Sequence, residues 1–134
     1  MITFNQITKF PSFFKDRNNS LENLKISVTK VFKDENNYLT INSSWNNYEQ
    51  IIIFNNNKIT SKSEVKFFCS CDSFKYEFAS VVKKFGSLCN EEFFTNTKKA
   101  KYKNPFNLPG GCKHIVALSN YIIKNLNKIY RSIK

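Results

Sequence analysis

The chain has 134 residues, of which 41% are hydrophobic and 16% aromatic, a composition typical of one folded domain rather than of a disordered chain. Its formal charge is +11 at pH 7, with +3 on residues 1–68 and +8 on residues 69–134. Because no run approaches the ~20 apolar residues of a membrane span and residues 1–14 lack a secretory pattern, we expect neither a membrane protein nor export through a signal peptide.

The excess of positive charge favours an anionic partner, either nucleic acid or the acidic face of another protein. Nearly all of the basic residues are Lys, and Asn, Ile and Phe are abundant with it. An AT-rich genome would produce the same bias, so coding drift is the alternative explanation for part of the charge.

The N-terminal residues 1–20 form an aromatic-rich segment that is interrupted by Pro11. We expect Phe10, Phe13 and Phe14 to dock onto the body of the protein or onto a partner. Residues 21–134 are predicted to form a single α+β domain.

Four segments between residues 24 and 68 have the composition of β-strands. Residues 24–33 are rich in β-branched side chains, and the segments 38–41, 48–54 and 64–68 follow. Turn-forming residues separate them at 34–37 and at 55–57, where Asn tolerates left-handed conformations. These spacings predict an antiparallel meander of three or four strands.

Two helices are predicted after the strands. The first is capped by Asp72 or Ser73, ends at Gly86 and carries apolar residues at helical spacing, namely Phe74, Phe78, Val81, Val82 and Phe85. Its aromatic stripe could stack on nucleobases, but packing against the sheet is the favoured interpretation. The second begins near Lys113 or His114, and one continuous apolar face is predicted for it: Ile115, Leu118, Ile122, Leu126, Ile129 and Ile133.

A long basic loop is predicted between these helices, over residues 87–111. Its lysines and the first one beyond it are candidates for contacts to phosphate, with Tyr102 or Phe106 available for stacking: Lys98, Lys99, Lys101, Lys103 and Lys113. Lysine charges would hold a nucleic-acid backbone without reading its sequence, so such binding would be nonspecific. A solvated loop and a clamp on an acidic protein subunit are the alternatives.

Two close pairs of metal-ligating residue types stand out, Cys69 with Cys71 and Cys112 with His114. Zinc in structural sites takes four Cys or His ligands at the corners of a tetrahedron. Residues two apart in a strand point to the same side, so a bend after Phe68 would bring the first two sulfurs together. In a chain with four Cys and no export signal, metal ligation is a better explanation than disulfides.

The second pair places a constraint on the last helix. Residues two apart in a helix lie about 200° apart around its axis and cannot share one metal ion. We therefore predict that Cys112 precedes the helix and that His114 lies in its first turn.

Cys89 leaves an alternative open. It could replace His114 as the fourth ligand, which would give a site of four thiolates, or it could simply be buried. A domain without metal is the third possibility.

The pattern Cys-x-Cys, spacer, Cys-x-His resembles the SWIM-type zinc finger, with Cys69, Cys71, Cys112 and His114 at the matching positions. The resemblance covers about residues 64–127 and implies a ββα zinc unit that binds DNA, RNA or protein. The spacer of residues 72–111 is longer than is usual in that family.

Residues 71–79 and 104–114 also look like segments of small SWIM-type proteins of large tailed bacteriophages. That similarity implies a viral origin, protein neighbours in a viral assembly, and a location in the host cytoplasm or the virion. It adds an alternative function, that of a structural component of the phage head, neck or tail in which zinc only stabilises the fold.

Catalysis is not expected. Four protein ligands would leave no open position on the zinc, and the sequence lacks a phosphate-binding Gly loop, a nucleophile elbow and a second His to act as base. We predict a non-catalytic binding module with one structural zinc ion and no small-molecule substrate.

Overall fold

The computed structural model describes residues 1–8, 25–56, 58–72, 74–90 and 111–133. Within these residues the strands form one four-stranded antiparallel sheet in the order β1-β2-β3-β4, comprising β1 (Ser27–Lys33), β2 (Leu39–Trp45), β3 (Tyr48–Phe54) and β4 (Val65–Cys69). Each strand pairs with its neighbour in sequence. The predicted α+β class and the antiparallel meander are therefore confirmed.

The second strand is longer than the predicted segment 38–41. It continues to Trp45, which lies opposite Tyr48 across a hairpin. Asn46 and Asn47 have φ of 47° and 70°, the left-handed conformation at both positions that a tight two-residue hairpin requires. Pairing with the apolar strand β3 thus keeps the polar residues 42–44 extended, although their own propensity for a strand is low.

The outer edge of β4 is covered by two other segments of the chain. Along this edge Val65 N–H donates to the carbonyl of Ile2 at 3.0 Å, and Phe67 N–H donates to the carbonyl of Ser87 at 2.8 Å. Both edges of β4 therefore make backbone hydrogen bonds, one edge to β3 and the other to these two segments.

A short helix, α1 (Phe4–Thr8), buries Phe4 and Ile7. The ring of Phe4 meets that of Phe54 edge to face, with centroids 5.0 Å apart. The start of the aromatic-rich N-terminal segment is thus part of the core. Its other predicted docking residues lie outside the described residues: Phe10, Phe13 and Phe14.

The helix predicted after Cys71 forms, but it begins with a π-helical turn, Phe74–Phe78, and continues as α2 (Ala79–Lys84). Gly86 has φ of 74°, as expected of a residue that ends a helix. Phe74 and Phe78 are 0% and 1% exposed. These two rings lie in the core, as the packing interpretation predicts. Phe85, the last residue of the predicted stripe, is 43% exposed, so the prediction was wrong there.

The last helical segment is divided in two: α3 (Lys113–Lys124) and α4 (Leu126–Arg131). The prediction of one continuous helix was wrong at Asn125, where φ is −129° and ψ is 33°. The Asn125 side chain donates to the carbonyl of Tyr121 at 2.9 Å, a local bond by which Asn competes with regular helix. α3 packs on β3 and β4 and against α1.

No helix in the described ranges is both long and apolar enough to cross a lipid bilayer.

Candidate metal centre

The first cysteine pair lies where β4 ends. Cys69 is the last residue of the strand, and the chain bends directly after it. Ser70 N–H donates to the carbonyl of Glu49 at 3.0 Å, and Glu49 N–H donates to Ser70 Oγ at 2.9 Å. This reciprocal pair of hydrogen bonds ties Ser70 to the neighbouring strand and fixes the chain between the two thiols.

The second pair lies at the start of α3. Cys112 precedes the helix with extended backbone angles, φ −70° and ψ 173°, and its carbonyl accepts the hydrogen bond of Val116 N–H at 3.0 Å. His114 lies in the first turn. This is the arrangement predicted from the two-residue spacing.

Gly111 allows the chain to enter α3 at this angle. A Cβ atom at this position would lie 2.8 Å from Cβ of Ile115, closer than packed atoms approach each other. A side chain at position 111 would therefore force Ile115 or the first turn of the helix to shift.

The four side chains of the two pairs form one cluster. Their ligand atoms all lie within 4.8 Å of one another, and each residue is at most 3% exposed. Nδ1 of His114 lies 3.7 Å from Sγ of Cys69 and 3.8 Å from Sγ of Cys112. Nδ1 is thus the ring nitrogen that faces the sulfur atoms.

Cys89 lies outside this cluster. Its backbone N–H donates to the carbonyl of Phe67 at 3.4 Å, beside β4, and its side chain packs against the core. The cluster in the structure therefore contains His114 rather than a fourth thiol.

Without a cation the three thiols do not ionise together. Hydrogen bonds from Cys112 and Cys69 hold the pKa of Cys71 far below its ordinary value, and Phe74 N–H also donates to Cys71 Sγ at 3.4 Å. A hydrogen bond from Cys112 lowers the pKa of Cys69, but the hydrogen bond and charge of Cys71 together with burial outweigh it and raise this pKa to about 12. Burial raises the pKa of Cys112 well above its ordinary value. The site thus favours one thiolate, and a metal ion would supply the positive charge that three need.

The imidazole of His114 lies between the cluster and two aromatic side chains. Its ring centroid is 5.0 Å from that of Trp45 and 5.5 Å from that of Tyr48. Nε2 of His114 is buried and has no hydrogen-bond partner within the described residues. With the ring proton on Nε2, the lone pair of Nδ1 points at the sulfur atoms, as a metal ligand requires.

Trp45 and Tyr48 were not predicted to belong to the site. They flank the turn Asn46-Asn47, and this dipeptide between two extended segments was the signal that could have revealed the hairpin. Because β3 follows this turn and pairs with β4, the sequence could then have predicted that the hairpin end lies near the cysteine pair.

Among the predicted phosphate-contacting lysines, only Lys113 belongs to the described residues. It is half-buried, and its Nζ lies 5.9 Å from the ring centroid of Trp45, within the range of a cation–π contact. The other four lie outside the described residues: Lys98, Lys99, Lys101 and Lys103.

The donor set fits a metal ion. Three sulfur atoms and one imidazole nitrogen, all buried and converging on one point, are the donors that soft and borderline divalent cations prefer. The group could hold one such ion.

No protein-family model matches the chain, and neither the curated proteins nor the solved structures include a match. The resemblance to SWIM-type zinc fingers therefore rests on the Cys-x-Cys and Cys-x-His pattern, and the resemblance to phage proteins rests on residues 71–79 and 104–114. The phage origin stays a prediction.

Proposed function

We propose that Cys69, Cys71, Cys112 and His114 bind one Zn²⁺ ion and that this ion has a structural role. The observation that carries the proposal is the convergence of the four buried ligand atoms within 4.8 Å. Zinc bonds of about 2.3 Å to sulfur and 2.0–2.1 Å to nitrogen would separate a sulfur and a nitrogen ligand by about 3.6 Å in a tetrahedron. The distances from His114 Nδ1 to Cys69 Sγ and Cys112 Sγ, 3.7 and 3.8 Å, are close to that value.

The structural role follows from where the ligands lie. Two of them stand at the end of β4 and two at the start of α3, more than forty residues later. An ion bound by all four would join these elements directly. Four protein ligands complete a tetrahedral shell and leave no position for water or substrate, which supports a non-catalytic role.

Metal analysis of the purified protein tests this proposal. We expect one zinc ion per chain in the wild type and loss of that ion in Cys112→Ser. Cys89→Ser is the matched control, because it removes a thiol outside the cluster, and it should retain one ion. Full zinc occupancy in Cys112→Ser would show that the ligand set is wrong.

We further propose that the zinc-stabilised module binds nucleic acid through phosphate. The net charge of +11, of which +8 lies on residues 69–134, supports this choice of partner. Residues 98–103 provide four lysines in six positions, and no acidic residue follows Glu92. Contacts of this kind would hold a backbone without sequence preference.

Gel-shift titration at increasing salt tests the choice of partner. Removal of one lysine that contacts phosphate should reduce the slope of log K against log salt by about 0.9 for duplex DNA. Replacing Lys98, Lys99, Lys101 and Lys103 by Gln should therefore flatten the slope, whereas four equivalent replacements at residues 25, 30, 33 and 58 should change it less. No shift even at low salt would exclude nucleic acid and leave a protein as the partner.

A further inference from the structure

Three residues on adjacent strands form a polar row that ends at the metal centre. Ser43 on β2 lies directly opposite Gln50 on β3, and Gln50 lies directly opposite Cys69 on β4. All three are buried, with Ser43 2% exposed and the other two 0%. A serine and a glutamine that are buried in this way must find hydrogen-bond partners inside the protein.

The side chains of this row are joined by two hydrogen bonds. Ser43 Oγ donates to Gln50 Oε1 at 2.8 Å, and Gln50 Nε2 donates to Cys69 Sγ at 3.7 Å. A thiolate only accepts hydrogen bonds, so the NH₂ group of Gln50 faces Cys69, and the amide oxygen on the other side accepts from the Ser43 hydroxyl, which holds the amide in this orientation. Ser43 therefore directs the Gln50 N–H at the sulfur.

A donor at this place counteracts the charge of the metal centre. Three thiolates around one divalent ion leave a net charge of about −1 in a buried site, where unneutralised charge is costly. The N–H of Gln50 offsets part of that charge at Cys69, and the backbone N–H of Phe74 does the same at Cys71 with a 3.4 Å hydrogen bond. Such bonds stabilise sulfur lone pairs and thereby the metal-bound state.

We propose that Gln50, oriented by Ser43, is a positioning residue of the metal centre that donates to the Cys69 thiolate and strengthens metal retention. This inference rests on the proposed metal-binding function. It goes beyond that function because Ser43 and Gln50 are not metal ligands and belong to no ligand pattern in the sequence.

Cobalt substitution provides the test, because the sulfur-to-Co²⁺ charge-transfer band reports the electron density on the sulfur ligands. In Gln50→Met, which keeps the length of the side chain but removes the donor, we expect this band to move to lower energy. The dissociation constants for Co²⁺ and Zn²⁺ should rise about 10-fold or more, as for other outer partners of metal ligands.

Two further variants separate the hydrogen bond from packing. Ser43→Ala keeps Gln50 and should shift the band in the same direction by a smaller amount, while Ser43→Thr keeps the hydroxyl and should restore the wild-type band. Thr40→Val is the matched control, since Thr40 is a buried polar residue of the same strand, 5% exposed, whose side chain makes no hydrogen bond to the cluster. It should leave the band and both dissociation constants unchanged.

The outcomes distinguish this inference from the function on which it rests. Wild-type protein that takes up neither Zn²⁺ nor Co²⁺ would overturn both. Wild-type protein that binds one ion, together with a Gln50→Met band at the wild-type energy and dissociation constants within about twofold, would overturn the role of Gln50 alone. If Gln50→Met does not fold, the band of Ser43→Ala decides the question in the same way.

Discussion

The two ends of the C-terminal helical segment are attached to the rest of the protein by different means. The start of α3 meets β4 through the cluster of three thiols and one imidazole. The end of α4 is held by the apolar side chain of Ile129, which is 2% exposed, and by Tyr130, whose hydroxyl accepts the N–H of Ile59 at 2.8 Å. Asn125 separates the two ends by interrupting the helix.

This difference predicts which part of the fold would depend on a bound ion. Apolar packing stabilises α4 without any charge being buried. At the start of α3, buried thiols lie beside apolar residues such as Ile115, and three thiolates can be held together there only when a cation binds them. We therefore expect metal to determine the order of one end and to leave the other unchanged.

Removal of metal by a chelator should have the largest effect. A ligand present at a thousand times its dissociation constant stabilises a protein by about 4 kcal/mol. Loss of that stabilisation should lower the melting temperature of a domain of this size by about 10–20 °C. Hydrogen exchange should show loss of protection at residues 116–119, whose N–H groups are the first in α3 to be bonded within the helix, with the amides of β2 and β3 still protected. Equal loss of protection throughout the chain would contradict the division between the two ends.

Ile129→Ala should release the other end. Deletion of this buried side chain should lower the free energy of unfolding by about 3 kcal/mol, measured by urea denaturation. The zinc content should stay at one ion per chain, because the ligands lie at the opposite end of the segment. Loss of zinc in this variant would show that the two ends are coupled.

Gly111→Ala should disturb the metal end by steric means. The new Cβ would lie within 3 Å of Cβ of Ile115, and overpacking of this kind costs about 1–3 kcal/mol. Because Cys112 is the next residue, zinc affinity measured by chelator competition should fall as well. Gly86→Ala is the control, because the nearest atom to a Cβ at position 86 is Cγ of Met1, at 3.9 Å. Its φ of 74° should make the substitution cost about 1 kcal/mol of unfolding free energy, while zinc affinity stays unchanged.

Tyr130→Phe should have the smallest effect. It removes one partly exposed hydrogen bond to Ile59, so the loss in the free energy of unfolding should be about 0.5–1 kcal/mol. Zinc affinity should not change. Tyr121→Phe removes a hydroxyl that makes no hydrogen bond within the described part of the chain, and it should leave the denaturation midpoint at the wild-type value.

Much of the architecture was predictable because it depends on local signals. The run Tyr48–Phe54 is a strand with the predicted bounds, since its apolar residues lie between two polar turns. The position of Cys112 before α3 also followed from geometry alone, because the angular spacing of a helix does not allow both ligands inside it. The convergence of both pairs in one cluster agrees with that reasoning.

Other features could not be predicted from the spacing of apolar residues. The strand propensity of residues 42–44 is low, so the length of β2 came from its pairing with β3. The interruption at Asn125 arises where a side chain competes with the backbone, inside a run whose apolar spacing is continuous. Local periodicity carries neither kind of information.

The sequence by itself determined the two residue pairs that are candidates for a metal site, the order of the strands and the place where the last helix begins, since each follows from residue type and short-range spacing. Only the tertiary structure decided which side chains surround the ligands. Gln50 lies beside Cys69 because the register of β3 against β4 places them opposite each other, and Trp45 covers His114 because a hairpin end reaches the start of α3. Strand registers and contacts between distant elements depend on the packing of the whole domain, so no short segment of the chain predicts them.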